Sequence, residues 1–478
     1  MLFNSIEFAL FLPIVFILYW FICHRNLKIQ NILLVVASYI FYGWWDWTFL
    51  FLIIFSSFVD YFVGIGFSKT ENQKNRNLLL LISVTVNLGL LFYFKYFNFF
   101  IESFTEAFTF FGHSISSQRL NIILPVGISF YTFQTLSYSI DVYKHKLEPT
   151  KNLGAFLAYV SFFPQLVAGP IERATNLLPQ FYEKRKFEYS KAVDGCRQIL
   201  WGLFKKIVIA DNCAMHANDI FNNFQDYNSS TLILGAVFFA FQIYGDFSGY
   251  SDIAIGTARL FGFNLMQNFS FPYFSRDIAE FWRRWHISLS TWFRDYLYIP
   301  LGGSKGSLLS KIRNVFIIFI VSGFWHGANW TYIIWGALNA CYFLPIFLLN
   351  KNRKNLSFSK SNSLLNYSTD LVKIAFTFSL TCFAWIFFRA ENLNHALQYI
   401  AGIFSTSLIE KPTVLPYKLI CITIIFIYIE WITKSKEHVL QNLQDKISAP
   451  LRFVIYSLLI YSIIILSEGE QEFIYFQF

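Results

Sequence analysis

The chain has 478 residues, of which 55% are hydrophobic and 14% charged, against about 25% charged residues in an ordinary soluble domain. Mean hydropathy is +0.45 and no stretch of soluble composition is left over, which excludes a string of water-soluble domains and predicts a single integral membrane domain over residues 1–478. The net charge of +9 is not a nucleic-acid footprint, because the Lys and Arg residues fall in short loops between apolar runs, where they report topology.

Residues 6–23 form the first apolar run, with no Lys or Arg before it and His24, Arg25 and Lys28 after it. A signal peptide carries its positive charge in front, so a retained span with an outside N-terminus is expected. A hairpin follows, 32–42 and 49–67. Its turn, Gly43-Trp44-Trp45-Asp46-Trp47, is aromatic and lacks Lys and Arg, as an outer interfacial belt does. The basic loop 69–76 is then cytoplasmic, 78–93 goes out, and 122–140 returns to Lys144, Lys146 and Lys151. Residues 156–168 are a short apolar segment containing Pro164, with basic stretches on both flanks, so they are expected to dip in and come back; such a segment is tolerated only where protein covers its backbone.

The run 195–210 goes out to a loop, 218–230, that lacks Lys and Arg, and 232–247 starts back. At the inner part of that span, Tyr244-Gly245-Asp246-Phe247-Ser248-Gly249-Tyr250-Ser251-Asp252 combines two carboxylates with two glycines. The glycines suggest an unwound or closely packed helix. Asp246 and Asp252 suggest partners among the nearby arginines, in a structural clamp rather than in catalysis.

The cytoplasmic stretch 276–313 carries seven Lys and Arg residues. Within it Ile278, Trp282, Trp285, Leu289, Trp292 and Tyr296 recur every three or four positions, the period of an amphipathic helix. Glu280 and Arg284 are an i,i+4 pair on the other face, and His286 falls on the buried edge of the stripe, either as a packed residue of an interfacial helix or as a functional one. The next run, 314–349, is too long for one span and is followed by Lys351, Arg353 and Lys354, so it reads as a hairpin broken near 323–329. His326 sits at that break, in Trp325-His326-Gly327-Ala328-Asn329-Trp330. A His at membrane depth is a functional-site candidate, the alternative being a hydrogen bond to a neighbouring helix. Three more spans, 371–388, 419–432 and 451–466, leave the C-terminus outside. The expected fold class is an all-α polytopic membrane protein of about ten transmembrane helices, with re-entrant and amphipathic helices.

The six cysteines form no C-x-x-C pair and read as packed hydrophobes. No His-x-x-x-His or His/Cys cluster accompanies His286 or His326, so no metal site is expected.

The runs FWRRWHISLSTW at 281–292, YLYIPLGG at 296–303 and WHGANW at 325–330 together resemble the membrane-bound O-acyltransferase family, and within it the alginate O-acetyltransferase branch. DFSGYSD at 246–252, LPVGISFY at 124–131, Ala168-Gly169-Pro170 and FRAEN at 388–392 are similar to it as well. The resemblance implies the family's fold, a multi-pass location in a bacterial inner membrane, and essential histidines at His326 and His286. The further His that members often carry is replaced here by Asn339. It also implies acyl transfer, from acetyl-CoA or another acyl thioester or acyl carrier as donor substrate and without a cofactor, to an extracytoplasmic polysaccharide such as alginate or another exopolysaccharide. A role in peptidoglycan O-acetylation is the alternative. A periplasmic SGNH-hydrolase-like acetyltransferase is the expected partner, with membrane lipid around the chain and no nucleic acid. In that chemistry a neutral His326 accepts a proton from the acceptor hydroxyl, while Asn329, with Trp325 beside it, or a backbone N–H at the Gly327 break meets the oxyanion. His286, at the cytoplasmic mouth, orients the donor, and Arg283 and Arg284 attract its phosphates. A secondary transporter also uses broken helices and midplane polar groups, but matching broken segments in two halves are not found.

The basic-loop pattern predicts that reporters fused after Lys74, Lys146, Lys186, Lys305 and Lys354 read cytoplasmic and those near Asn223 external. An external signal at Lys186 would remove the re-entrant assignment of 156–168.

Overall fold

The computed structural model describes residues 1–110, 120, 122–167, 169–356, 364–467, 471, 473 and 474, and among them the chain is helical, with no strand. Among the described residues six helices are long and apolar enough to cross a membrane: Trp47–Lys69, Gln73–Thr109, Ser229–Leu260, Leu308–His326, Trp330–Leu348 and Tyr367–Arg389. Shorter apolar helices cover Ile6–Ile22, Leu27–Gly43, Leu153–Leu166 and Ala449–Ile465. The protein is all-α and polytopic. It divides into two compact units, Met1–Ala192 with Thr257–Met266, and Val193–Gly256 with Gln267–Phe478.

In the first unit, apolar helices are pinned by polar groups that satisfy one another, as a medium without water requires. Asp60 is fully buried. Its carboxylate accepts from Ser139 Oγ at 2.6 Å, from Asn87 Nδ2 at 2.7 Å and from Ser83 Oγ. Thr135 and Ser56 in turn donate to Asn87 Oδ1 at 2.9 and 3.0 Å. The short segment read from 156 onward is two helices, Leu153–Ser161 and Phe163–Leu166, separated by Phe162 at ψ 105°. The amide freed at the break is taken up by protein: Phe163 N–H donates to Ser38 Oγ at 3.0 Å. Ala168, where this segment ends and the Ala168-Gly169-Pro170 motif begins, lies outside the described residues.

In the second unit, the glycines of 244–252 mark close packing rather than unwinding, since the Ser229–Leu260 helix is continuous through them. A Cβ on Gly249 would lie 2.8 Å from the Gly202 carbonyl oxygen, and one on Gly256 2.5 Å from the Gly195 carbonyl oxygen. The two carboxylates are held by lysines, not by the arginines expected from the sequence. Lys206 Nζ lies 2.9 Å from Asp246 and 2.7 Å from Asp211, and Lys205 Nζ lies 2.6 Å from Asp252. Both lysines are buried. They sit in a π-helical turn, Phe204–Ala210, whose wider winding turns two consecutive side chains toward acids on the Ser229–Leu260 helix. Ile474 N–H and Gln198 Nε2 complete the carboxylates at 2.7 and 2.8 Å.

Because the atom facing Gly249 is backbone, it cannot swing away. Gly249→Val is expected to destabilise the detergent-purified protein by about 1–3 kcal/mol, read as a lower thermal midpoint. Gly89, where a Cβ would meet nothing within 4 Å, is the control, and Gly89→Ala should not lower the midpoint. Equal midpoints for Gly249→Val and wild type would refute the close-packing account.

Candidate active site

His326 ends the Leu308–His326 helix, which Ser307 starts by accepting from Ser310 N–H at 3.3 Å. The helix stops there because Gly327 turns to extended backbone, φ −166° and ψ 154°. Asn329 then caps the Trp330–Leu348 helix, accepting from Thr331 N–H at 3.0 Å and donating to the Glu391 carbonyl at 2.8 Å. The two arms of this hairpin meet through glycines. A Cβ on Gly323 would overlap the Tyr332 carbonyl oxygen, and one on Gly336 the Phe319 carbonyl oxygen. The predicted break is thus present, at 327–329, and it leaves His326 buried. Asn339 is also buried and donates back to the Trp335 carbonyl at 2.8 Å, within its own helix.

The stripe around His286 faces inward as expected, but it is not one helix. Ile278–Arg284 ends, Trp285 is extended, His286 adopts a left-handed conformation at φ 44° and ψ 54°, and Ile287–Phe293 begins. A non-glycine residue in that region is uncommon and costs roughly 1–2 kcal/mol. The compensation is Asn268. Its backbone carbonyl accepts from Ile287 N–H at 2.9 Å, and its Oδ1 accepts from Ser288 N–H at 3.2 Å and Ser288 Oγ at 2.8 Å. Its Nδ2 donates to Ser251 Oγ at 3.1 Å.

This arrangement fixes the His286 tautomer. Nδ1 lies 3.2 Å from Asn268 Oδ1, an atom that the backbone donor of Ser288 identifies as the amide oxygen. Nδ1 therefore carries the hydrogen and Nε2 is the acceptor nitrogen. Burial pushes the His286 pKa down to about 3, so the ring is neutral at physiological pH.

The sequence placed the two histidines at separate stations, one at the hairpin break and one at the cytoplasmic mouth. The structure brings their rings together, with centroids 6.4 Å apart. Trp325 touches both, at 5.0 Å from His326 and 6.0 Å from His286. Trp335 and Phe388 each lie 5.3 Å from His326, and Phe247 lies 4.6 Å from His286. The result is a neutral, aromatic enclosure around two imidazoles.

Next to it is a cavity of about 530 Å³, whose lining includes Ser290 and Ser322. Each serine is one helical turn from a histidine: Ser290 N–H bonds the His286 carbonyl at 3.0 Å, and Ser322 precedes His326 on one helix. The lining also carries Arg283, Arg294 and Arg353 beside Trp282, Phe319 and Phe343. Arg283 donates to the carbonyls of Asn352 and Asn355 at 2.6 and 2.7 Å. Arg284 is not part of this lining. It is buried against Glu280 at 2.6 Å, a carboxylate that also meets Arg276 at 3.0 Å, so the expected i,i+4 pair exists but faces inward.

Sequence reasoning missed Asn268, Lys205, Lys206 and the cavity cations Arg294 and Arg353. Lys205 and Lys206 were legible as two adjacent charges inside an apolar run. For Asn268 no local signal existed, because its importance comes from the turn it meets.

Comparison with known proteins agrees with this architecture. A match to the membrane-bound O-acyltransferase family covers residues 40–388. The chain is 43% identical to a Pseudomonas aeruginosa protein named probable alginate O-acetylase AlgI, over 85% of this chain and 75% of that protein. It is 35% identical to a Helicobacter pylori peptidoglycan O-acetyltransferase over 84% and 80% of the two chains. A Bacillus subtilis teichoic acid D-alanyltransferase is 28% identical over 58% and 71%. The chain belongs to the membrane-bound O-acyltransferase family and is an O-acyltransferase.

Proposed function

We propose that His326 and His286 are the point at which an acyl group, acetyl in the first instance, passes from a cytoplasmic thioester to a hydroxyl delivered from outside a bacterial inner membrane. The product is an O-acetylated extracytoplasmic polysaccharide of the alginate or exopolysaccharide kind. The observation that supports this most directly is the pair of imidazoles 6.4 Å apart, one helical turn from a cationic cavity.

In this reading His326 takes the proton from the acceptor hydroxyl as that oxygen bonds to the carbonyl carbon of the thioester. The C–S bond then breaks, and the departing thiolate takes the proton back. General-base help of this kind contributes about 10²–10⁴-fold. His286, held with Nε2 as its acceptor atom, orients the same reacting groups rather than a remote part of the donor. The amide of Asn329 is committed to Thr331 and Glu391, which leaves the oxyanion to backbone N–H groups at the Gly327 break. Arg283, Arg294 and Arg353 suit the phosphates of acetyl-CoA or an acyl carrier, whereas Arg284 seats its helix. The acylated hydroxyl is carried onward by a periplasmic SGNH-hydrolase-like acetyltransferase, with both chain termini on the outer side.

A second reading, peptidoglycan O-acetylation, is favoured by the Helicobacter pylori relative. Loss of O-acetyl groups from purified muropeptides, with exopolysaccharide acetylation intact, in a strain lacking this chain would select it.

His326→Gln and His286→Gln are each expected to lower single-turnover transfer from labelled acetyl-CoA by at least about 100-fold, and the double variant to be no worse than the singles, because the rings act together. Full activity in either single variant would sink the shared-site proposal. Asn268→Leu, which orphans buried donors and frees the His286 tautomer, should cost about 10–100-fold while Asn268→Asp, which keeps an acceptor, retains more. Equal activity of the two Asn268 variants would dismiss the tautomer argument without touching His326.

A further inference from the structure

A second cavity, of about 290 Å³, lies in the first compact unit. Lys184, Arg185, Lys186, Lys191 and Arg259 line it, against two carboxylates, Glu183 and Glu188. Glu188 is already taken by Lys191 at 2.8 Å. Lys184 and Lys186 are exposed and make no ion pair among the described residues.

Arg185 decides what this excess means. It is only 8% exposed, and its guanidinium is surrounded by neutral groups. It donates to Asn31 Oδ1 at 2.7 Å, the Gln180 carbonyl at 3.2 Å and Gln30 Oε1 at 3.5 Å. It also lies over the Phe263 ring at 4.9 Å. No carboxylate pairs with it among the described residues, and burial pulls its pKa down. A guanidinium nevertheless stays charged, and a buried charge without a counter-charge is costly. The adjoining cavity is where a compensating anion has room.

The rim says what kind of molecule brings that anion. Trp20 and Phe187 line the cavity with ring centroids 5.4 Å apart, and the Trp20 indole N–H donates to the Leu260 carbonyl at 2.9 Å. Trp20 belongs to the apolar Ile6–Ile22 helix, so the cavity sits at the end of a segment of membrane character. Phe21, Phe187 and Tyr189 are 71%, 49% and 76% exposed there, the aromatic collar typical of a membrane–water boundary. We propose that this cavity is a phosphate-binding site and that the phosphate is the headgroup of an anionic phospholipid whose chains lie along the exposed aromatic and aliphatic rim.

The test uses the full-length protein purified in detergent and exposed to phosphatidylglycerol, phosphatidylcholine or inorganic phosphate, with native mass spectrometry reading bound lipid and thermal unfolding reading protection. Wild type should retain phosphatidylglycerol in preference to phosphatidylcholine and be protected by it. Lys184→Gln/Lys186→Gln, which leaves the buried Arg185 bonds untouched, should lose at least about half of that retention while unfolding normally without lipid. Protection by inorganic phosphate equal to that by phosphatidylglycerol would support the phosphate site but overturn the lipid source. Equal retention of both lipids, or unchanged phosphatidylglycerol retention in the double variant, would overturn the site itself.

Discussion

The geometry of the candidate site depends on one carboxamide. A helix running without interruption from Ile278 to Phe293 would bury the tryptophan stripe equally well, but it would carry the His286 imidazole round with its own backbone. The chain instead makes a left-handed kink at His286, and Asn268 holds it by meeting the three residues 286–288 at once. Backbone strain of that size persists only where surrounding bonds over-determine it. Here the same bonds that hold the kink also choose which ring nitrogen is the acceptor. Conformation and protonation are therefore set by one interaction, and the meeting of the two histidines follows from it.

The second histidine is placed by packing of a different kind. The arms of the Leu308–Leu348 hairpin approach so closely at Gly323 and Gly336 that neither position admits a side chain. That closeness brings Trp335 and Tyr332 against the end of the first arm, where His326 sits. The rings of Trp325, Trp335 and Phe388 pack against it. The two histidines are thus placed by separate devices, a kink for one and a tight hairpin for the other.

Much of this was legible in the sequence, for identifiable reasons. The broken hairpin followed from an apolar run too long for one span with basic residues at its far end, and the late spans match helices Leu364–Arg389, Tyr417–Thr433 and Ala449–Ile465, the last ending one residue short of the expected 466. Hydropathy reports these because they are properties of a window. What escaped was tertiary. The periodicity of 278–296 carries no trace of the kink at His286, since the stripe keeps its phase across it. The partners of Asp246 and Asp252 were sought among arginines, whereas the structure pairs them with Lys206 and Lys205 from another helix. Asn268 stands in an unremarkable loop, and only the turn it meets gives it meaning.

The paired lysines bear on how the protein is made. Burying a charge without a partner is costly, and the segment that carries Lys205 and Lys206 buries two. Most of the acids that neutralise them, Asp246 and Asp252, lie on the Ser229–Leu260 helix, which leaves the ribosome later. The earlier segment thus lacks most of its counter-charges until that helix is made. Its stable packing is coupled to the arrival of the next helix, so the ion pairs imply an order of assembly as well as a folded state.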